Sequence, residues 1–223
     1  MVSPLLSNLY LHEVLDVWFE HEVKTRLRGR AFEVRFADDA ALVFEREEDA
    51  RRVLAVLSKR FAKYGLRLHP EKTRVVDFRS PPRAGRGGSQ RERSFALLGF
   101  THFWGRSRKG RWVVQRKTAK DRFTRALREI GHWCRAHRHW PVAAQQAALR
   151  RKLQGHYAYY GITGNGRALG RFLHEVRRLW RKWLHRRSWR GRMTWEKFVR
   201  LTARYPLPQP RVVHSVYRRA ATP

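Results

Sequence analysis

The sequence AFEVRFADDAALVF, at residues 31–44, constrains the fold of this chain more than any other stretch. Residues 32–36 alternate apolar and charged side chains, which is the period of a β-strand with one apolar face. A second apolar run follows at residues 40–44. Because only residues 37–39 separate the two runs, the pattern predicts an antiparallel β-hairpin with an Ala-Asp-Asp turn.

The turn carries two adjacent carboxylates, Asp38 and Asp39. Like charges at this spacing repel each other unless a cation lies beside them, and a divalent metal ion is the natural one. Nucleotidyl transfer uses two such ions roughly 4 Å apart, one to activate the primer hydroxyl and one to hold the departing phosphates. An isolated Asp-Asp pair is also common in solvated turns. The rest of the sequence has to separate the two interpretations.

The segment before the hairpin has the pattern of a buried helix. Ser3 can cap this helix, and Pro4 can occupy its first position. Apolar residues then recur at steps of four, so they share one face. These residues are Leu6, Tyr10, Val14 and Trp18.

The segment after the hairpin predicts a second helix and two strands. Acidic residues at 47–49 suit the first turn of a helix, apolar residues recur on one face up to Phe61, and Gly65 can end the helix. Short apolar segments at 66–68 and 75–78 predict strands. The order helix, hairpin, helix, strand, strand is that of an α+β fold with antiparallel strands.

The remainder of the chain changes character twice. Residues 80–93 are rich in Pro, Gly, Arg and Ser, which predicts an exposed insertion. Apolar stretches at 95–103 and 112–115 predict an extension of the sheet, and helical periodicity begins at Thr118. We therefore predict three regions, residues 1–79, 80–117 and 118–223.

The charge of the chain is strongly positive and unevenly distributed. The 223 residues contain 50 Lys and Arg against 18 Asp and Glu, for a formal net charge of +32. Residues 1–79 hold 15 of the basic and 13 of the acidic residues, so residues 80–223 hold 35 and 5. Such an excess predicts a polyanionic partner, above all nucleic acid. A membrane partner is not expected, because no apolar stretch reaches the roughly 18 residues of a spanning helix.

A single cysteine, Cys134, excludes an internal disulfide and fits a reducing, cytoplasmic environment. His132, His137 and His139 lie near it with a spacing loosely like that of a metal site. Structural zinc sites normally use paired cysteines. We therefore favour a helix with one buried thiol.

Several blocks of the sequence are similar to motifs of one polymerase family. Phe36-Ala37-Asp38-Asp39 resembles the aromatic-Ala-Asp-Asp box of reverse transcriptases, with Phe36 where tyrosine is usual. On this box and five further blocks, the chain resembles the group II intron reverse transcriptases, which also act as maturases. The further blocks are VSPLLSNLYL (2–11), GLRLHPEKT (65–73), LLGF (97–100), LQGHYAYYG (153–161) and PLPQPR (206–211).

The resemblance implies a partial polymerase palm followed by an α-helical thumb or maturase domain. Asp38 and Asp39 would bind the catalytic Mg²⁺ ions. Lys72 would steady the triphosphate or protonate the departing pyrophosphate. Lys72 could instead be an exposed lysine paired with Glu71 or Asp77. The residues that would grip the primer end are Leu98, Gly99 and Phe100.

Gly99 has two interpretations. Because it lacks a side chain, it could let a nucleic-acid strand approach the backbone, with Phe100 packed beneath. It could equally relieve a bend in the sheet.

The basic C-terminal part of the chain predicts an RNA-binding surface. A helix at 167–187 has an apolar face that we assign to the core, where its tryptophans pack rather than stack on bases. Phosphates would offset the repulsion among its many arginines, which packing does not explain, and a rigid basic surface can bind folded RNA by shape. The residues predicted to contact RNA are Arg177, Arg178, Arg181, Lys182, Arg186 and Arg187 on this helix, and Arg106, Arg108, Lys109, Arg111, Arg116, Lys117 and Lys120 in a second patch near the primer.

The resemblance also implies a third catalytic carboxylate, on a strand upstream of the first quoted block. We therefore expect polymerase activity only together with an upstream reverse transcriptase fragment, and two functions stay open. In the first, the chain is part of an RNA-directed DNA polymerase that binds intron RNA, an RNA template, a DNA primer and dNTP. In the second, it is a stand-alone RNA-binding maturase remnant with idle aspartates. A general basic RNA chaperone is a third interpretation.

Overall fold

The computed structural model describes residues 3–81, 93–107, 109–188 and 192–215. The chain divides into two compact units, Met1–Leu98 with His102–Val114 and Gly99–Thr101 with Gln115–Pro223. The predicted region boundaries at residues 79 and 117 stay predictions. Most of the predicted insertion, residues 82–92, lies outside the described residues.

The first helix is present but changes type along its length. Val14 and Trp18 are buried, as predicted, whereas Leu6 and Tyr10 are 57% and 44% exposed. A π-helical turn holds more residues than an α-helical one, so the buried face rotates between the two parts. The prediction of one continuous buried face was therefore wrong for the first turns. The segments are α1 (Ser3–Leu11), two π-helical stretches (His12–Val17 and Phe19–Val23) and a 3₁₀ turn (Lys24–Arg26).

The predicted hairpin is confirmed, with a shorter turn. β1 (Ala31–Phe36) and β2 (Asp39–Phe44) pair antiparallel, and Phe36 lies opposite Asp39. Only residues 37–38 form the turn, so Asp39 is the first residue of β2. Cross-strand partners project from the same face of a sheet. The side chain of Asp39 therefore projects from the face that carries Phe36.

β1 directs its large apolar side chains away from the core of the first unit. Phe32, Val34 and Phe36 are 59%, 51% and 68% exposed, whereas Glu33 and Arg35 on the opposite face are partly buried. The alternation that predicted the strand is real. The neighbouring helices, which the local pattern does not describe, determine which face is covered.

The predicted second helix is α2, Glu47–Lys63. Asp49 in its first turn is buried and accepts hydrogen bonds from the backbone N–H groups of Arg28 and Gly29, at 3.1 and 3.0 Å. These bonds hold the start of α2 against the chain that enters the hairpin. The core of the first unit comprises Val14, Leu15, Trp18, Phe19, Val23, Ala31, Val53, Leu57 and Phe61.

The segments 66–68 and 75–78 are not strands, although their composition predicted strands. Leu66 and Leu68 instead pack against the core as single side chains. Phe78 stacks on Trp104 at a ring-centroid distance of 5.6 Å. An apolar run forms a strand only where a neighbouring backbone supplies the hydrogen-bond ladder, and no described strand supplies one here.

A second sheet has the strand order β3-β4-β5. The strands are β3 (Ser94–Leu97), β4 (Phe100–Arg106) and β5 (Trp112–Thr118). Both predicted apolar stretches therefore contribute strands. Mixed helices and antiparallel strands confirm the α+β class of the fold.

The second unit is helical from Lys120 onward, as the periodicity predicted. Trp180 is fully buried, and its indole N–H donates to Gln145 at 2.9 Å. This tryptophan is thus a packing residue. The helices are α3 (Lys120–Ala136), α4 (Val142–Tyr160), α5 (Gly166–His185) and α6 (Trp195–Arg204).

In the described part of the chain, no helix is both long enough and apolar enough to cross a membrane.

Candidate functional site

Asp38 and Asp39 are adjacent residues at the tip of the hairpin. Both residues are exposed. Although the chain carries 50 basic side chains, neither carboxylate forms an ion pair or a side-chain hydrogen bond with any residue that the structure describes. Two unpaired carboxylates on adjacent residues suit a hard divalent cation, whose preferred ligands are carboxylate oxygens.

The turn that presents this pair adopts a constrained backbone. Ala37 has a φ of +54°, a conformation that residues with a side chain rarely adopt. The Arg35 guanidinium donates to the Ala37 carbonyl at 2.9 Å and forms two bonds of 2.6 Å to the Asp16 carboxylate. Arg35 has no role among the sequence-based predictions. The sequence offered only its place two residues before Ala37, because the face of β1 that is covered is set by the tertiary structure.

A partly buried carboxyl group, that of Glu33, lies on the same inward face. Burial, and then the neighbouring Asp16 carboxylate, raise the pKa of Glu33 to about 7. One of its oxygens, Oε1, is buried and has no hydrogen-bond partner among the described residues. Burial opposes the ionisation of Asp16 as well, but hydrogen bonds from Arg35 and His12 outweigh it and hold the pKa of Asp16 below its usual range. Asp16 is therefore the ionised member of the pair.

We expect Glu33→Gln to stabilise the first unit above pH 7 and to have almost no effect near pH 4.5. The raised pKa of Glu33 means that the native state favours the protonated carboxyl group, so wild-type stability falls as the pH rises from about 4.5 to about 7. Glutamine stays neutral and removes this loss. Discounted for partial exposure, the gain is about 1 to 2 kcal/mol.

The measurement is urea unfolding at several pH values, followed by hydrogen exchange in residues 31–63. Glu48→Gln is the control, because the Glu48 side chain is 73% exposed. A Glu33→Gln gain that did not vary between pH 4.5 and 8 would contradict the burial of an ionisable group.

Lys72 lies in an exposed turn that follows α2 and is closed by hydrogen bonds to the carbonyl of His69. It forms no ion pair with Glu71 or Asp77. Asp77 pairs instead with Arg79 at 3.0 Å. The exposure of Lys72 agrees with its simpler interpretation, whereas the ion pair named in that interpretation is not observed. The structure also shows no contact between Lys72 and the aspartates, so its catalytic role stays a prediction.

The residues predicted to grip the primer form a tight turn and the start of a strand. Leu98 and Gly99 connect β3 to β4, with φ values of +50° and +74°. Positive φ at both central residues is typical of a type I′ hairpin turn. A Cβ on Gly99 would lie 3.2 Å from the Tyr160 hydroxyl, and the Phe100 ring lies 5.4 Å from that of Tyr160. The turn conformation and this close aromatic neighbour both favour glycine.

The basic residues predicted near the primer lie around the β4-β5 connection, on β5 and at the start of α3. Arg106, whose guanidinium lies over the Trp112 ring at 4.8 Å, and Lys109 and Arg111 are exposed. Lys117 and Lys120 are also exposed, and Arg116 is partly buried. Arg108 lies outside the described residues.

The basic residues on α5 and directly after it differ in exposure and in the groups that they contact. Arg178, Lys182 and Arg186 are exposed. Arg177 donates to Thr202 at 3.4 Å, and Arg187 donates to the His139 carbonyl at 3.2 Å. Arg181 similarly lies over the Trp195 ring at 5.2 Å. The view that packing explains none of these arginines was therefore wrong for Arg177, Arg181 and Arg187.

Two of the quoted blocks meet in the second unit. Gly161, at the end of 153–161, accepts hydrogen bonds from the backbone N–H groups of Val213 and His214 at 2.6 and 2.9 Å. The Tyr157 hydroxyl donates to the Pro208 carbonyl at 3.2 Å. These blocks therefore hold the C-terminal segment against the end of α4.

The lone thiol is buried, as predicted. Cys134 is 1% exposed, and burial raises its pKa to about 12. Over the described ranges, no three His, Cys, Asp or Glu side chains form a group that could hold a metal ion. Asp38 and Asp39 accordingly have no third carboxylate beside them among the described residues.

Comparison with known proteins identifies one family. The family model for reverse transcriptase (RNA-dependent DNA polymerase) matches residues 1–102. No curated protein matches the chain. The matched residues include the Asp38-Asp39 turn, Lys72 and the Leu98-Gly99 turn, and the family implies binding of a nucleic-acid template and primer in general. The first part of the chain, residues 1–102, is thus similar to a reverse transcriptase domain.

Proposed function

We propose that this chain is part of a group II intron reverse transcriptase that also binds intron RNA as a maturase. The observation that carries the proposal is the pair of exposed, unpaired carboxylates, Asp38 and Asp39, on a hairpin turn inside the reverse transcriptase match. The blocks at 153–161 and 206–211, which resemble the maturase region, support the finer assignment.

The donor set fits the metal that the family implies. When bound, Mg²⁺ ions would activate the primer hydroxyl and neutralise the phosphates of the incoming nucleotide. Asp38 and Asp39 would supply carboxylate oxygens, and the hairpin would hold these at a fixed spacing. Lys72 would donate a proton or a hydrogen bond to the leaving phosphates.

Copying would need a further carboxylate, since none in the described residues joins the pair. β1 and β2 pair only with each other in the described sheet, so the outer edge of each strand has no paired neighbour there. An open edge accepts a further strand. We propose that an upstream segment with the third carboxylate pairs at this hairpin, whether it is supplied in the same polypeptide or in another.

RNA binding would rest on the basic residues of the second half. Residues 80–223 hold 35 basic and 5 acidic side chains. Exposed Arg178 and Lys182 lie on α5, and exposed Arg186 directly follows it. Phosphates attract such a surface with release of counterions. Folded RNA would be bound by shape more than by sequence.

The experiment is magnesium-dependent primer extension on an RNA template. The chain is compared alone, as Asp38→Ala, and mixed with an upstream segment from a complete relative. Activity in the mixture that Asp38→Ala removes would support a polymerase that works with the upstream segment. Activity of the unmixed chain that Asp38→Ala removes would show that the third carboxylate comes from this sequence.

The alternative is a stand-alone RNA-binding maturase remnant, which the charge of residues 80–223 favours. It predicts no extension in any mixture but tight binding to a folded intron. Competition with unrelated RNA separates this function from a general RNA chaperone, which would bind both RNAs with similar affinity and a steep salt dependence.

A further inference from the structure

The Asp38-Asp39 turn is attached to the first helical segment through one side chain. Arg35 is the residue before Phe36 on β1, and its side chain is 13% exposed. Its Nη1 donates to the Ala37 carbonyl at 2.9 Å and to Asn8 Oδ1 at 3.2 Å. The same guanidinium also binds Asp16. It therefore links the turn to two residues of the preceding helical segments, Asn8 and Asp16.

The bond to Asp16 fixes the orientation of this guanidinium. Nε and Nη2 of Arg35 donate to the two Asp16 oxygens, each at 2.6 Å. A planar guanidinium can form two parallel bonds to a carboxylate, and a lysine ammonium cannot reproduce that fork. The remaining nitrogen, Nη1, then points to the Ala37 carbonyl. The other titratable side chains around this pair are His12, 3.1 Å from Asp16, and Glu33.

Ala37 needs such support because of its backbone. Its φ of +54° lies in the left-handed region, which is unfavourable for an alanine. The Arg35 guanidinium donates a hydrogen bond to the Ala37 carbonyl and so restrains the backbone at Ala37. Without that bond, the turn could relax to other conformations, and the carboxylates that follow would move with it.

We propose that Arg35 is a positioning residue for the Asp38-Asp39 pair, through its fork on Asp16 and its hydrogen bond to the Ala37 carbonyl. Arg35 does not touch the substrate. It sets the place and direction of the two carboxylates before any metal or nucleotide binds. The expected effect of Arg35 on catalysis rests on the proposed polymerase function, whereas its expected effect on the conformation of the turn does not.

The main test variant is Arg35→Lys, which keeps the positive charge beside Asp16 and removes the fork. Backbone amides of residues 36–40 are expected to lose about tenfold in hydrogen-exchange protection. In the active mixture, kcat for primer extension is expected to fall about a hundredfold with little change in the KM for dNTP, because misplaced ligands slow chemistry more than binding. Arg30→Lys is the matched control, because Arg30 lies just before the same strand and is 81% exposed.

A rescue experiment distinguishes positioning from general stability. Glycine adopts a positive φ without strain, so Ala37→Gly lowers the need for the Arg35 bond. The double variant with Arg35→Lys and Ala37→Gly is expected to recover several-fold of the lost kcat. A merely structural role for Arg35 predicts no such recovery, since Ala37→Gly does not restore the fork on Asp16.

The outcomes separate this inference from the proposed function. Hydrogen exchange that is the same in Arg35→Lys and Arg30→Lys would overturn the inference, as would equal losses of kcat in these two variants. If no mixture copies RNA, the polymerase proposal fails, and hydrogen exchange at the turn alone then decides whether Arg35 holds it.

Discussion

Asp38→Ala is expected to reduce RNA-directed primer extension on the order of a thousandfold or more while leaving RNA affinity nearly unchanged. The carboxylate is exposed and has no side-chain partner in the described structure, so its removal breaks no bond that holds the fold. It removes oxygens that would hold the catalytic ions. The substitution is therefore expected to lower kcat and to leave the basic residues that would contact RNA unchanged.

The measurement pairs primer extension, in the mixture that copies, with filter binding to a folded intron RNA. Glu48→Ala is the control, because Glu48 is an exposed acid on the same unit, away from the turn. Both variants are expected to bind RNA within about twofold of the wild-type chain. A tenfold weaker affinity in Asp38→Ala alone, about 1.4 kcal/mol, would mean that Asp38 is placed wrongly.

Gly161→Ala is expected to destabilise the second unit by about 3 kcal/mol or more. A Cβ at this position would collide with the Tyr157 carbonyl oxygen and would lie 2.7 Å from the carbonyl oxygen of Arg211. Both are backbone atoms, which cannot move aside as the end of a side chain can. The hydrogen bonds between Gly161 and residues 213–214 would be lost with the same displacement.

Urea unfolding followed by tryptophan fluorescence measures this effect, since Trp180 lies in the core of the second unit. Gly155→Ala is the matched control, because Gly155 lies in the same block, on the helix that Gly161 directly follows. No atom lies within 4 Å of the position that its Cβ would occupy. Alanine in an exposed helix interior is expected to stabilise by up to about 1 kcal/mol. Equal effects of the two substitutions would contradict the close packing at Gly161.

Much of the fold could be predicted because local patterns were strong. The hairpin at 31–44 and helix α2 occur where alternation and helical periodicity placed them. The segments 66–68 and 75–78 had suitable composition and yet are not strands. A strand depends on a partner elsewhere in the chain, which composition does not reveal.

The candidate site shows the same division. Two adjacent aspartates in a short turn were visible in the sequence, together with a resemblance that suggested their chemistry. The sequence did not reveal that both aspartates are exposed or that Asp39 belongs to β2. It also did not reveal the hydrogen bond from Arg35 to the Ala37 carbonyl. These depend on which side of the hairpin the preceding helix covers.

The sequence by itself determined the α+β class, the uneven charge and the Asp38-Asp39 turn, because alternation, helical periodicity and composition act over a few neighbouring residues. Only the tertiary structure decided that Glu33 and Arg35 face inward while Phe32 and Val34 stay exposed. Either face of a strand satisfies a period of two, and the choice is made by the helix that packs on it. The attachment of the turn to Asp16, 19 residues away from Arg35 in the chain, follows from that choice.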